Sequence, residues 1–63
     1  MELREARKAS NLTQAEVADY LGISRPTYIK MEKHPDEVTI ADAQKLAELF
    51  GVKVDAIFFD RSV

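Results

Sequence analysis

The chain has 63 residues, 46% of them apolar, with no cysteine, one histidine and two glycines. That size fits a single domain, and domains of roughly 55–65 residues fold alone although they bury only about 60% of the surface their unfolded chains expose. The composition excludes a disordered chain, a disulfide scaffold or thiolate metal site, and a membrane span, which needs about 18 apolar residues in a row. The charged opening from Met1 to Ser10 does not read as a signal peptide. The lack of cysteine suits a reducing cytoplasm. The formal net charge is −2, unevenly placed: residues 1–33 carry six basic and five acidic side chains, residues 34–63 three basic and six acidic. A basic face on the first half is therefore compatible with a polyanionic partner, provided the acidic half turns away from it.

The apolar pattern is helical almost everywhere, and no stretch alternates as a half-buried strand would. The expectation is an all-α fold, a compact bundle of five short helices in one domain over residues 1–63. The first helix runs from about Glu2 to Ala9 with Leu3 and Ala6 on one face. Ser10-Asn11 ends it, since Asn tolerates the left-handed conformation common at helix ends. Thr13 followed by Glu16 forms a capping box for a second helix reaching Leu21. Gly22 suits a sharp turn with positive φ. Ser24 caps a third helix from Arg25 to about Lys33, stopped by His34-Pro35. Pro26 biases Arg25 away from the α region, which predicts a start delayed by a residue. After a Pro35–Val38 loop, Thr39 caps a fourth helix whose stripe is Ile40, Ala43, Leu46, Ala47 and Phe50. Gly51 ends it. Val54 to Phe59 reads as a short fifth helix, and residues 60–63 as a frayed tail.

The informative stretch is QAEVADYLGISRPTYIKMEK, Gln14 to Lys33. Two short helices, within about residues 13–33, meet at a tight turn. This is the unit that lays its second helix in a DNA major groove. Ala18 is small enough for close helix approach, while Val17, Leu21, Ile23, Tyr28 and Met31 supply the buried contacts.

Helical geometry separates the faces of the third helix at about 100° per residue. With Tyr28 at zero, Met31 falls near roughly 300° and Thr27 near roughly 260°, which marks a buried sector on that side. Arg25, Pro26, Ile29, Lys30 and Lys33 fall between roughly 60° and 200°. That outer face holds three bases, no acid and two apolar residues. Arg25 and Lys30 are candidates for guanine O6 and N7, and Pro26 and Ile29 for thymine methyl groups. For Pro26 and Ile29 the plain alternative is packing against a neighbouring loop. Thr13 and Gln14, at a helix N-terminus, are placed to meet phosphate. Arg4, Ser24, Thr27 and Lys33 complete the candidate phosphate contacts, against the plain alternative of a solvated surface.

Small residue, turn glycine, apolar spacing and the downstream stretch ADAQKLAELFGVKVDAIFF together resemble the lambda-repressor/Cro-like, or XRE, helix-turn-helix family, from about Leu3 to Phe58. His34 stands where this family usually has glycine after the third helix, and Val38 where a proline often precedes the fourth. The resemblance implies a sequence-specific DNA-binding transcriptional regulator, a repressor of Cro or phage-repressor type, on a pseudopalindromic operator of double-stranded DNA. It implies a phosphate role for Gln14 and a structural salt bridge between Arg7 and Glu32. It also implies a homodimer, at least on DNA, through the fifth helix, where Ile57 and Phe59 are the candidates. Localisation is then cytoplasmic, at the nucleoid of a bacterial or phage-infected cell.

No enzyme is expected. His34 stands alone, no HExxH spacing or glycine-rich phosphate loop occurs, and Asp36-Glu37 reads as a solvated pair. Neither a cofactor nor a metal is implied. The alternative is an antitoxin or another protein-interaction module on the same scaffold, its partner unidentified, in which the acidic second half serves for binding.

Overall fold

In the computed structural model, which describes residues 1–58, the chain forms α1 (Leu3–Ala9), α2 (Gln14–Leu21), α3 (Arg25–Lys33), α4 (Ile40–Phe50) and α5 (Val54–Ile57), with a 3-10 turn over Pro35–Glu37. No strand occurs among the described residues. No helix among them is long and apolar enough to cross a membrane.

Local chemistry explains most boundaries. Thr13 Oγ1 accepts from the Glu16 N–H at 3.1 Å, and Glu16 Oε1 accepts from the Thr13 N–H at 2.9 Å, the reciprocal box that begins α2. Ser24 and Thr39 accept from the N–H three residues on and begin α3 and α4. Three helices end alike. Asn11, Gly22 and Gly51 take positive φ of 58°, 71° and 68°. The next residue in each case donates back across the last turn: Leu12 to Arg7, Ile23 to Ala18, Val52 to Ala47. These are Schellman ends, and the accompanying apolar contact is present because Leu12, Ile23 and Val52 all pack on the core.

The core gathers Leu3 and Ala6 of α1, Val17 and Ala18 of α2, Tyr28 of α3, Leu46 and Phe50 of α4, and Ile57 of α5. Leu21, Ile23 and Met31 are half-buried against it. The chain's N-terminal ammonium donates to the Ala56 carbonyl at 3.0 Å, which brings the start of α1 beside α5.

Four expectations change. Ile40 does not join the stripe of α4: it is 68% exposed, because as the first helical residue it precedes the turns that face the core. Thr27 is exposed rather than buried, turned to Ser24, whose Oγ lies 2.8 Å from Thr27 Oγ1. Pro26 does not delay α3, which starts at Arg25; the ring occupies the first turn, where N–H groups lack helical partners, and the Ser24 cap supports that start. The helix expected to reach Phe59 stops at Ile57, with Phe58 as its cap. Ile57, a candidate dimer contact, is 8% exposed and packs in the core. Phe59, the other expected dimer contact, and the tail lie outside the described residues.

Candidate nucleic-acid interface

The face of α3 opposite Tyr28 is the candidate surface. Tyr28 is fully buried, which fixes the rotation of the helix. Arg25, Pro26, Lys30 and Lys33 are exposed, and Ile29 is half-buried. Ile29 lies in a recess of about 230 Å³ together with Arg4, Gln14, Glu32 and Lys33. The structure thus brings Arg4 of α1, Gln14 of α2 and Lys33 of α3 to one place, although they are up to 29 positions apart in sequence. Arg25 and Pro26 sit outside that recess, in the first turn of α3. Lys30 opens onto a second, smaller hollow of about 170 Å³ with Thr27, Met31 and Glu37. Glu37, from the turn after α3, lines that hollow with Lys30, a shared surface that helix periodicity could not reveal. Thr13 and Ser24 are exposed, but their side-chain oxygens are engaged in caps.

Beneath this face lies a polar cluster. Arg7 Nε donates to Glu32 Oε2 at 2.6 Å, and Arg7 Nη1 donates to the Leu12 carbonyl at 2.9 Å. The two side chains are 10% and 6% exposed. This is the ion pair expected to hold α1 to α3. Gln14 Nε2 donates to the other oxygen, Glu32 Oε1, at 3.0 Å. One carboxylate thus ties α1, α2 and α3 together. Burial works against its charge, but the hydrogen bonds from Arg7 and Gln14 outweigh it, and the Glu32 pKa lies below the ordinary carboxylate value. The hydrogen bond to Glu32 raises that of Arg7, so the pair is charged at neutral pH. Burial, and then Glu32, push the Tyr28 phenol well up. The Tyr28 hydroxyl is enclosed without a partner at hydrogen-bond geometry, so its coupling to Glu32 reflects nearness in a low-dielectric site.

The bond from Gln14 to Glu32 was not legible in the sequence. The one hint is Glu32's position near roughly 40° on α3, at the border of core and outer face. Elsewhere, His34, Asp36 and Glu37 bring ligand atoms within 4.8 Å of one another, but all three are exposed, as acidic surface groups commonly are without a metal.

The helix-turn-helix family matches residues 3–57, nearly the whole chain. An HTH-type transcriptional regulator of Methanocaldococcus jannaschii is 43% identical over 56 residues, 89% of this chain and 85% of that protein. One from Archaeoglobus fulgidus is 34% identical over 89% of this chain and 79% of its own length. The CTXphi phage transcriptional repressor RstR of Vibrio cholerae is 31% identical over 92% of this chain, which spans 52% of RstR. No solved structure matches the chain. The described helices, the turn at Gly22 and this match agree: the chain belongs to the lambda-repressor-like, or XRE, helix-turn-helix family of DNA-binding transcriptional regulators.

Proposed function

We propose that the protein is a transcriptional repressor that binds a pseudopalindromic operator as a homodimer, with α3 in the major groove. The observation that carries this reading is the outer face of α3, where Arg25, Pro26, Lys30 and Lys33 are exposed without an acid among them. Arg25 and Lys30 donate to guanine, while Pro26 and Ile29 meet thymine methyl groups. Arg4, Thr13, Gln14, Ser24, Thr27 and Lys33 surround this face and take phosphates, which fix register while the bases give specificity. The likeness to RstR, named a transcriptional repressor, favours repression over activation. The site of action is then the cytoplasmic nucleoid, and the chain acts as one domain. Because Ile57 packs in the core, Phe59 is the stronger candidate for the dimer contact.

The test is selection of bound sequences from a random duplex library at two salt concentrations, since phosphate-driven affinity depends steeply on salt. Two inverted half-sites about one helical turn, roughly 34 Å, apart are the expected result. A flat pool with folded protein favours a protein-binding module. Two exposed apolar side chains, Tyr20 at 52% and Ile40 at 68%, give that second reading its footing.

A further inference from the structure

The Glu32 carboxylate divides its two oxygens between two helices. Oε2 faces Arg7 and Oε1 accepts from the Gln14 amide nitrogen. A primary amide has two unlike ends, an acceptor oxygen and a nitrogen with two hydrogens. An amide free in solvent turns either end outward, and only the nitrogen end attracts a phosphate. An ionised carboxylate only accepts, so the end of Gln14 that faces it must be the nitrogen. Turning the amide over would set its oxygen against Glu32. One Nε2 hydrogen is committed to the carboxylate and the second is left over. Gln14 is half-buried and lines the same recess as Arg4 and Lys33. Arg7, which is not among the lining residues, neutralises Glu32, so this carboxylate does not cancel the charge of Arg4 and Lys33.

We propose that Glu32 is a positioning residue for DNA: it locks the Gln14 amide so that its second N–H, between Arg4 and Lys33, donates to one backbone phosphate oxygen. The inference rests on the DNA-binding reading above. It gives Glu32 a role beyond its pairing with Arg7, and it makes the contribution of Gln14 conditional on Glu32.

The test is a double-mutant cycle on the full chain, with Gln14→Ala, Glu32→Gln and the double variant. Affinity is read by anisotropy on a mixed-sequence duplex of about two helical turns at low salt, with circular dichroism confirming the folded state. Gln14→Ala is expected to weaken binding roughly tenfold in the wild-type background, the size of one hydrogen bond to a charged group. In the Glu32→Gln background the same change is expected to cost less than about threefold. An equal loss in both backgrounds overturns the proposal and leaves Glu32 with a role in the fold alone. Should Glu32→Gln not fold, the Gln14 side-chain amide protons of the wild type provide the readout by NMR. One is expected to move on titration with the duplex, and two unmoved protons overturn the proposal. A folded wild type that binds no duplex removes the DNA-binding reading itself, which is a different outcome from an additive cycle.

Discussion

Arg7 and Glu32, 25 residues apart, meet at 2.6 Å with both side chains nearly enclosed, so the first and third helices share a buried ion pair. Desolvating two charges offsets much of their attraction, and the pair is worth little relative to apolar replacements of similar shape. Removing one partner is another matter, because it strands a charge. Arg7→Met is expected to lower stability by roughly 3 kcal/mol. For a 63-residue domain the total is on the order of 3–9 kcal/mol, so this is a large share. Arg7→Met with Glu32→Leu is expected to be more stable than either single variant. Urea unfolding of the three proteins checks it, and losses that simply add show that the charges are better hydrated than their burial implies.

Glu32 also sets an acid limit. Its pKa is lowered in the folded chain, so its stabilisation is fully present above the unfolded value of about 4.3 and is lost as pH falls through the folded one. Stability of the wild type is expected to fall more steeply below about pH 4.3 than that of Glu32→Gln. Thermal unfolding from neutral pH to pH 3 gives the comparison, and parallel curves exclude Glu32 as the group responsible.

The outer face of α3 separates base readers from phosphate contacts. Lys30→Ala is expected to weaken binding of the selected operator by roughly 1–3 kcal/mol and relax its preference at one base position. Lys33→Ala is expected to weaken all duplexes alike and reduce the salt slope by about one. Titrations of operator and mixed-sequence DNA at several salt concentrations distinguish them. A uniform loss for Lys30→Ala assigns that side chain to phosphate instead.

Gly22 stands at φ +71°, and a Cβ there would meet nothing within 4 Å. Its requirement is therefore conformational and not one of space. Gly22→Ala is expected to cost about 1 kcal/mol, and Gly22→Asn less, since Asn tolerates the left-handed region. Chemical unfolding measures both. Equal losses would point to a role for Gly22 beyond its φ.

Much of this fold was legible because its punctuation is local. Thr13 with Glu16, Ser24 and Thr39 announce helix starts, and Asn11, Gly22 and Gly51 announce ends, each through bonds within a few residues. The misreadings occur where periodicity was carried past its range. Ile40 has the spacing of its stripe but precedes the turns that reach the core. Thr27 lies on the flank of Tyr28, where the angle alone does not say whether a neighbouring helix covers it. At the site, the exposed face of α3 follows from the 100° step. The Gln14–Glu32 bond and the hollow that Glu37 shares with Lys30 depend on how separate elements are placed, and no single helix encodes that.

Tyr28 offers a test in which deletion should help. Its ring fills the centre of the core, but its hydroxyl is buried with no hydrogen-bond partner, the one such side-chain atom among the described residues. Enclosing a hydroxyl without compensation costs about 1–3 kcal/mol. Tyr28→Phe keeps the ring and removes that cost, so a gain of about 1 kcal/mol is expected. The change also takes a polar neighbour from Glu32, which Arg7 and Gln14 continue to satisfy. Urea unfolding of Tyr28→Phe decides the matter. A loss of about 1 kcal/mol instead would mean that in solution the hydroxyl donates to Glu32, a third hydrogen bond on the carboxylate that joins the three helices.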